Sequence, residues 1–297
     1  MKSQGQLVDE FVAGKEVGSA SNMSIGGDTL YSYWGFLLMV RTPEGMVANS
    51  DKYSVSTSQH QELCLGKADI TLSFSTMDLA RIPIREFKVV DKRKESWVET
   101  GKWCFDTEEG YLGCPHRRRL LTQEQFKVLP SGQQDHCYRQ EEHIPEAIVL
   151  YYEGKWYLSS TDEDNYFLCE LPKRVTTVDR AYESLIPLGL KNKEYQRQGE
   201  WFFVEVEPPK SLLWKKRRAK TMYRHIDMDY ALPRDRPYSH SHIATRGSTI
   251  DGKFYVSGSI KHPEHRMLRL SRADDPKIFQ ALRNRAVNSW SSRGRVD

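Results

Sequence analysis

The chain has 297 residues, of which 38% are hydrophobic, 11% aromatic and 28% charged. That apolar content supports a packed core and excludes a disordered chain, and no run of about 18 apolar residues is present to form a membrane-spanning helix. The small net charge of +4 divides unevenly: residues 1–209 carry 24 Lys/Arg against 32 Asp/Glu, a balance of −8, and residues 210–297 carry 20 against 8, a balance of +12.

In chain order, residues 1–22 are polar and rich in Gly and Ser, and read as a flexible N-terminal arm. They contain no apolar segment of the secretory type, so a cytoplasmic location is expected, with no membrane partner. Residues 23–209 read as a β-rich body. Thr29–Trp34 is aromatic-rich, and Pro43-Glu44-Gly45 marks a hairpin. Tyr53–Thr57 reads as a further strand, with a helix opening at Ser58. Residues 91–146 are irregular and read as an insertion within the body. A second hairpin is expected where Ile148–Tyr152 and Lys155–Ser159 flank Glu153-Gly154. Thr177 is placed to cap a short helix that Pro187 ends. Glu200–Val206 and Lys253–Ile260 read as strands, and residues 275–290 as a helix with Pro276 near its start. Residues 210–297 form the basic region that completes the fold. The class is α+β: antiparallel sheet elements with a few short helices. Five cysteines, an odd number, read as reduced thiols serving as small core residues.

Several stretches carry residue types suited to chemistry. Trp214-Lys215-Lys216-Arg217-Arg218-Ala219-Lys220, with Tyr223 close by, joins cations that neutralise phosphates to aromatics that stack on bases. The simpler alternative is a solvated loop. His242, His262 and His265, with His240 nearby, are imidazoles suited to a divalent transition metal, although they match no fixed ligand spacing. Asp28, after Gly26-Gly27, is a candidate base or an Asx-turn residue. His60, close to Ser58 and Thr57, is a candidate general base or the first turn of a capped helix. Arg246 offers a planar fork for a phosphate. Cys104, Cys114, His116, His136 and Cys137 are zinc-ligand types, but lack the C-x-x-C spacing.

Gly27–Tyr33, Tyr53–His60, Tyr166–Pro172, Arg197–Phe203, His242–Arg246 and His262–His265 together resemble a pattern recurrent in proteins encoded by phage and metagenomic sequence. The resemblance implies a viral or mobile-element protein acting inside a host cell and carries no mechanism. The leading expectation is nucleic-acid binding through the basic region, with Trp214 and Tyr223 stacking and Lys215, Lys216, Arg217, Arg218 and Lys220 on phosphates. The alternatives are a metal-dependent hydrolase or nuclease built on His242, His262 and His265, with Asp28, His60 and Arg246 as catalytic candidates, and an interaction protein whose partner is a host or phage protein.

Overall fold

A computed structural model of the chain describes residues 2–33, 35–106, 118–129, 134, 137–163, 165–209, 223–228, 232–233, 241–263, 265–271 and 277–291. The chain divides into two compact units, one formed by Met1–Lys92 with Ile148–Asp297, the other by Arg93–Ala147.

The N-terminal stretch is a docked helix in place of the expected flexible arm. Helix α1 (Gln4–Val12) opens on a capping box between Ser3 and Gln6. Its Leu7, Val8 and Phe11, spaced to share one face, are at most 1% exposed. Burial of this kind contributes roughly 1.5–3 kcal/mol per large side chain, which is why a polar-looking segment is held down. Five antiparallel strands follow, β1 (Val17–Ala20), β2 (Met23–Gly26), β3 (Thr29–Ser32), β4 (Phe36–Thr42) and β5 (Gly45–Asn49). The sixth, β6 (Ile70–Leu72), adds parallel to β5, a pairing that needs a crossover. Helix α2 (Val55–Leu65), capped by Ser54, supplies it, so the expected strand at Tyr53–Thr57 is instead a helix start. The cap outweighs the strand preference of Val55 and Thr57, because the Ser54 side chain accepts from the Thr57 amide.

After α3 (Phe74–Leu79) and β7 (Lys88–Arg93), the second unit forms a three-stranded antiparallel sheet: β8 (Ser96–Asp106) lies between β9 (Arg118–Thr122) and, after α4 (Gln123–Lys127), β10 (Cys137–Ile144). The irregular sequence here hides an 11-residue strand.

The first unit resumes with β11 (Ala147–Tyr152), β12 (Lys155–Asp162) and β13 (Asn165–Glu170), which join β7 in a second sheet. Helix α5 (Val178–Leu185) follows, capped by Thr177. A third, eight-stranded sheet takes β14 (Gln196–Gln198), β15 (Trp201–Glu205), β16 (Tyr223–Asp227), β17 (Leu232–Pro233), β18 (Ile243–Ile250), β19 (Lys253–His262), β20 (His265–Arg269) and β21 (Phe279–Arg283). Strand β22 (Ser289–Ser291) returns to pair with β13. Residues 279–283 and 289–291 are therefore strands, not the expected helix. Phe279 and Ala281 are buried while Gln280 and Leu282 are half-buried, a period of two imposed by pairing with β15 and β19.

One core joins Val40 and Leu72 of the first sheet, Phe74 and Met77 of α3, and Ile148, Leu150 and Leu168 of the second. Another fills the third sheet with Trp201, Phe203, Val256, Ile260 and Phe279. No helix among the described residues is long and apolar enough to cross a membrane.

Candidate metal centre

The third sheet aligns three of the expected ligands. His262 and His265 flank the two-residue turn between β19 and β20 and face each other in register. Side chains directly opposite on paired strands lie on one face, so a His-x-x-His spacing that would mean little in a loop places both rings together. His242 immediately precedes β18, whose first residue Ile243 pairs with Lys261. The His242 ring stacks on His262 with centroids 4.2 Å apart and lies 5.6 Å from His265, while His262 and His265 are 4.8 Å apart. One nitrogen from each of the three lies within 4.8 Å of the others. Zinc at about 2.0–2.1 Å from each nitrogen sets tetrahedral ligands about 3.4 Å apart, so the rings must turn out of this stacked arrangement for all three to reach one ion. His242 is buried and the other two half-buried, which leaves one side open to a water or substrate.

A second hairpin backs the row. Gly199 is the first central residue of the two-residue turn between β14 and β15, with φ of +55°. A Cβ placed there would sit 2.9 Å from Nε2 of both His242 and His265. Only glycine combines the left-handed backbone with that empty space. The Arg197 Nε donates to the Gly199 carbonyl at 2.8 Å, and its Nη2 reaches Asp162 at 3.4 Å. The neighbouring backbone is gripped from two sides. The Arg266 amide donates to both carboxylate oxygens of Glu163, at 3.1 and 2.9 Å, and its carbonyl accepts from Gln198 Nε2 at 2.5 Å. His265 Nδ1 and Gln198 Oε1 are buried with no hydrogen-bond partner among the described residues.

The histidines line a cleft of about 460 Å³. Its facing wall is the second sheet. Asn165, Phe167 and Cys169 alternate onto one face of β13, and their partners Asp162, Ser291 and Ser289 lie opposite them on β12 and β22. Burial pushes the Cys169 thiol up to about 12, which disfavours a free thiolate nucleophile at this point. Tyr166, Arg197, His242 and His262, from four separate stretches of the chain, all line the cleft.

The three catalytic candidates lie elsewhere. Asp28 sits in the turn between β2 and β3, largely exposed, and pairs with Arg41 at 3.2 Å. Arg246 is exposed on β18 and does not line the cleft. His60 is buried on α2, with Gln4 Nε2 2.8 Å from its Nε2 and Ser32 Oγ 2.7 Å from its Nδ1. The amide N–H donates, so Nε2 accepts, and Nδ1–H donates to Ser32. His60 in this arrangement takes no proton from Ser32; it ties α1, α2 and β3 together. Trp214, Lys215, Lys216, Arg217, Arg218 and Lys220 lie outside the described residues, as do His240, Cys114, His116 and His136. Tyr223 opens β16. Sequence reading missed Gly199, Arg197 and Asp162; the Gln198-Gly199-Glu200 turn before an apolar strand was the available signal.

His60 has a consequence for stability. Burial holds its pKa below the ordinary value, so the folded state keeps it neutral while the unfolded chain binds a proton near pH 6.5. The contribution is fully present above that pH and is lost as pH falls below it. Thermal unfolding from pH 7.5 to about 5.5 is expected to show a Tm that falls toward acid in the wild type, and less steeply in His60→Gln. Parallel curves for the two proteins would refute the assignment.

No protein-family model matches the chain, and no curated protein or solved structure matches it.

Proposed function

We propose that the chain is a metal-dependent hydrolase whose centre is His242, His262 and His265. The single observation that carries this reading is the group of three imidazoles, His242 just before β18 and His262 and His265 on β19 and β20, at one wall of a cleft, with Gly199 leaving the space beside two of them empty. Three neutral imidazoles and an open position form the donor set of catalytic zinc and related ions. An ion so held lowers the pKa of a bound water toward neutrality and polarises the bond to be broken. Asp162 and Glu200 bring carboxylates to the same cleft, as groups that hold or move a proton. Elemental analysis of the purified protein is expected to find about one transition-metal ion per chain, removed by chelator together with hydrolytic activity and restored by re-addition. Metal-free protein with undiminished activity would end this reading.

Nucleic-acid binding through the basic region is compatible with it and is supported by the +12 balance of residues 210–297. Binding of labelled DNA and RNA that weakens steeply with salt would support it; no binding at low salt would remove it.

A further inference from the structure

The metal-centre reading above, on which this inference rests, makes one demand of the backbone. The rings must turn to reach one ion, so the chain beneath each ring has to stay in place while they do. A binding constellation is held to within about 0.5 Å by its supporting shell. His265 is the ligand with the least of that support. It opens β20, an edge strand whose strand partner among the described residues is β19. Arg266, Met267 and Arg269 of β20 are exposed, so apolar packing holds the strand mainly through Leu268.

Two side chains from other hairpins fix its start instead. Gln198 of β14 donates to the Arg266 carbonyl, and Glu163 takes the Arg266 amide on both carboxylate oxygens, at 3.1 and 2.9 Å. These are backbone groups that an edge strand leaves without a strand partner, and a carboxylate on an amide makes the stronger, charge-assisted kind of bond. Glu163 is also a residue that its own turn does not favour. It leaves β12 with φ of +55°, a conformation that Asn, Asp and Gly adopt more readily. Its neighbour Asp162 holds Arg197, whose Nε donates to the Gly199 carbonyl. The one turn therefore reaches both the glycine behind the histidines and the residue next to His265.

We infer that Glu163 is a positioning residue of the metal centre: by holding the Arg266 amide it fixes the backbone from which the His265 ring turns toward the ion. Glu163 is exposed, so it can be replaced without opening the core, whereas Gln198 is 6% exposed and its loss would disturb folding as well.

The test compares Glu163→Asn with Glu163→Gln. Asparagine suits the left-handed turn but is one methylene shorter; glutamine keeps the length and one acceptor oxygen. Both remove the same charge, so their difference is free of the carboxylate's long-range attraction for a cation. Chelator-treated proteins are titrated with zinc, the visible spectrum of the cobalt-loaded forms is recorded, and Tm is measured without metal. Glu163→Asn is expected to bind zinc about tenfold more weakly than the wild type, the low end of the range for residues that orient ligands, with an altered cobalt spectrum and no fall in metal-free Tm. Glu163→Gln is expected to recover most of the affinity and the wild-type spectrum. Wild-type zinc affinity and cobalt spectrum in Glu163→Asn overturn the inference and leave the centre intact. So does a loss that Glu163→Gln shares in full, which is an effect of charge, or one matched by a fall in metal-free Tm, which is an effect of folding. Wild-type protein that takes up no metal overturns the centre itself and the inference with it, so the two failures are distinguishable.

Discussion

Replacing His265 by alanine is expected to weaken metal binding by more than about 100-fold, because loss of even an outer partner of a metal ligand costs 10–100-fold. His262→Ala should do the same. Both rings are half-buried at a hairpin turn, so their removal leaves the surrounding sheet packed and the metal-free Tm changed little. His242 is different. It is 2% exposed, so His242→Ala empties buried space and should lower both metal affinity and stability. Calorimetric titration of chelator-treated protein with zinc, alongside thermal unfolding without metal, separates the two effects. If the three variants lose Tm equally and bind zinc like the wild type, the histidines are packing residues and the centre does not exist.

Gly199→Ala is expected to abolish metal loading without touching a ligand. The added methyl would lie 2.9 Å from two Nε2 atoms and 3.2 Å from His242 Cε1, closer than carbon and nitrogen approach without displacement. The rings must move apart, and the nitrogens lose their common focus. A left-handed φ for alanine adds about 1–2 kcal/mol, or a Tm loss of about 2–4 °C per kcal/mol in a domain of this size. Gly27→Ala isolates that backbone cost, since Gly27 has φ of +60° and nothing within 4 Å of its Cβ position. The expected pattern is a larger Tm loss in Gly199→Ala, the excess over Gly27→Ala reporting the clash with the rings, with metal bound by Gly27→Ala alone. Zinc bound normally by Gly199→Ala would show that the space beside the histidines is not where an ion sits.

Legibility in the sequence followed the range of the physical signal. Turns such as Glu153-Gly154 and the Thr177 cap are set by residues within a few positions, and both occur where expected. Helix α1 was misread because three apolar residues among polar ones identify a docked face only when the surface that covers them is known. Residues 275–290 read as helix from Pro276 and the apolar residues that follow, but Phe279–Arg283 suits either period and pairing with β15 and β19 makes it a strand. His242, His262 and His265 were recognisable as ligand types, but not as one set, and Asp28, His60 and Arg246 were joined to them on residue type alone.

By itself the sequence determined the strand-rich antiparallel class, the acidic body with its basic final third, and the residue types available for a centre, because these depend on composition and on neighbours a few residues apart. Only the tertiary structure decided which histidines meet, that Gly199 is the glycine behind them, and that Asp162, Asn165 and Phe167 face them across a cleft. Those neighbours are set by strand order and register, where a shift of one residue turns every side chain to the opposite face, and that register is held by cores assembled from residues far apart in the chain.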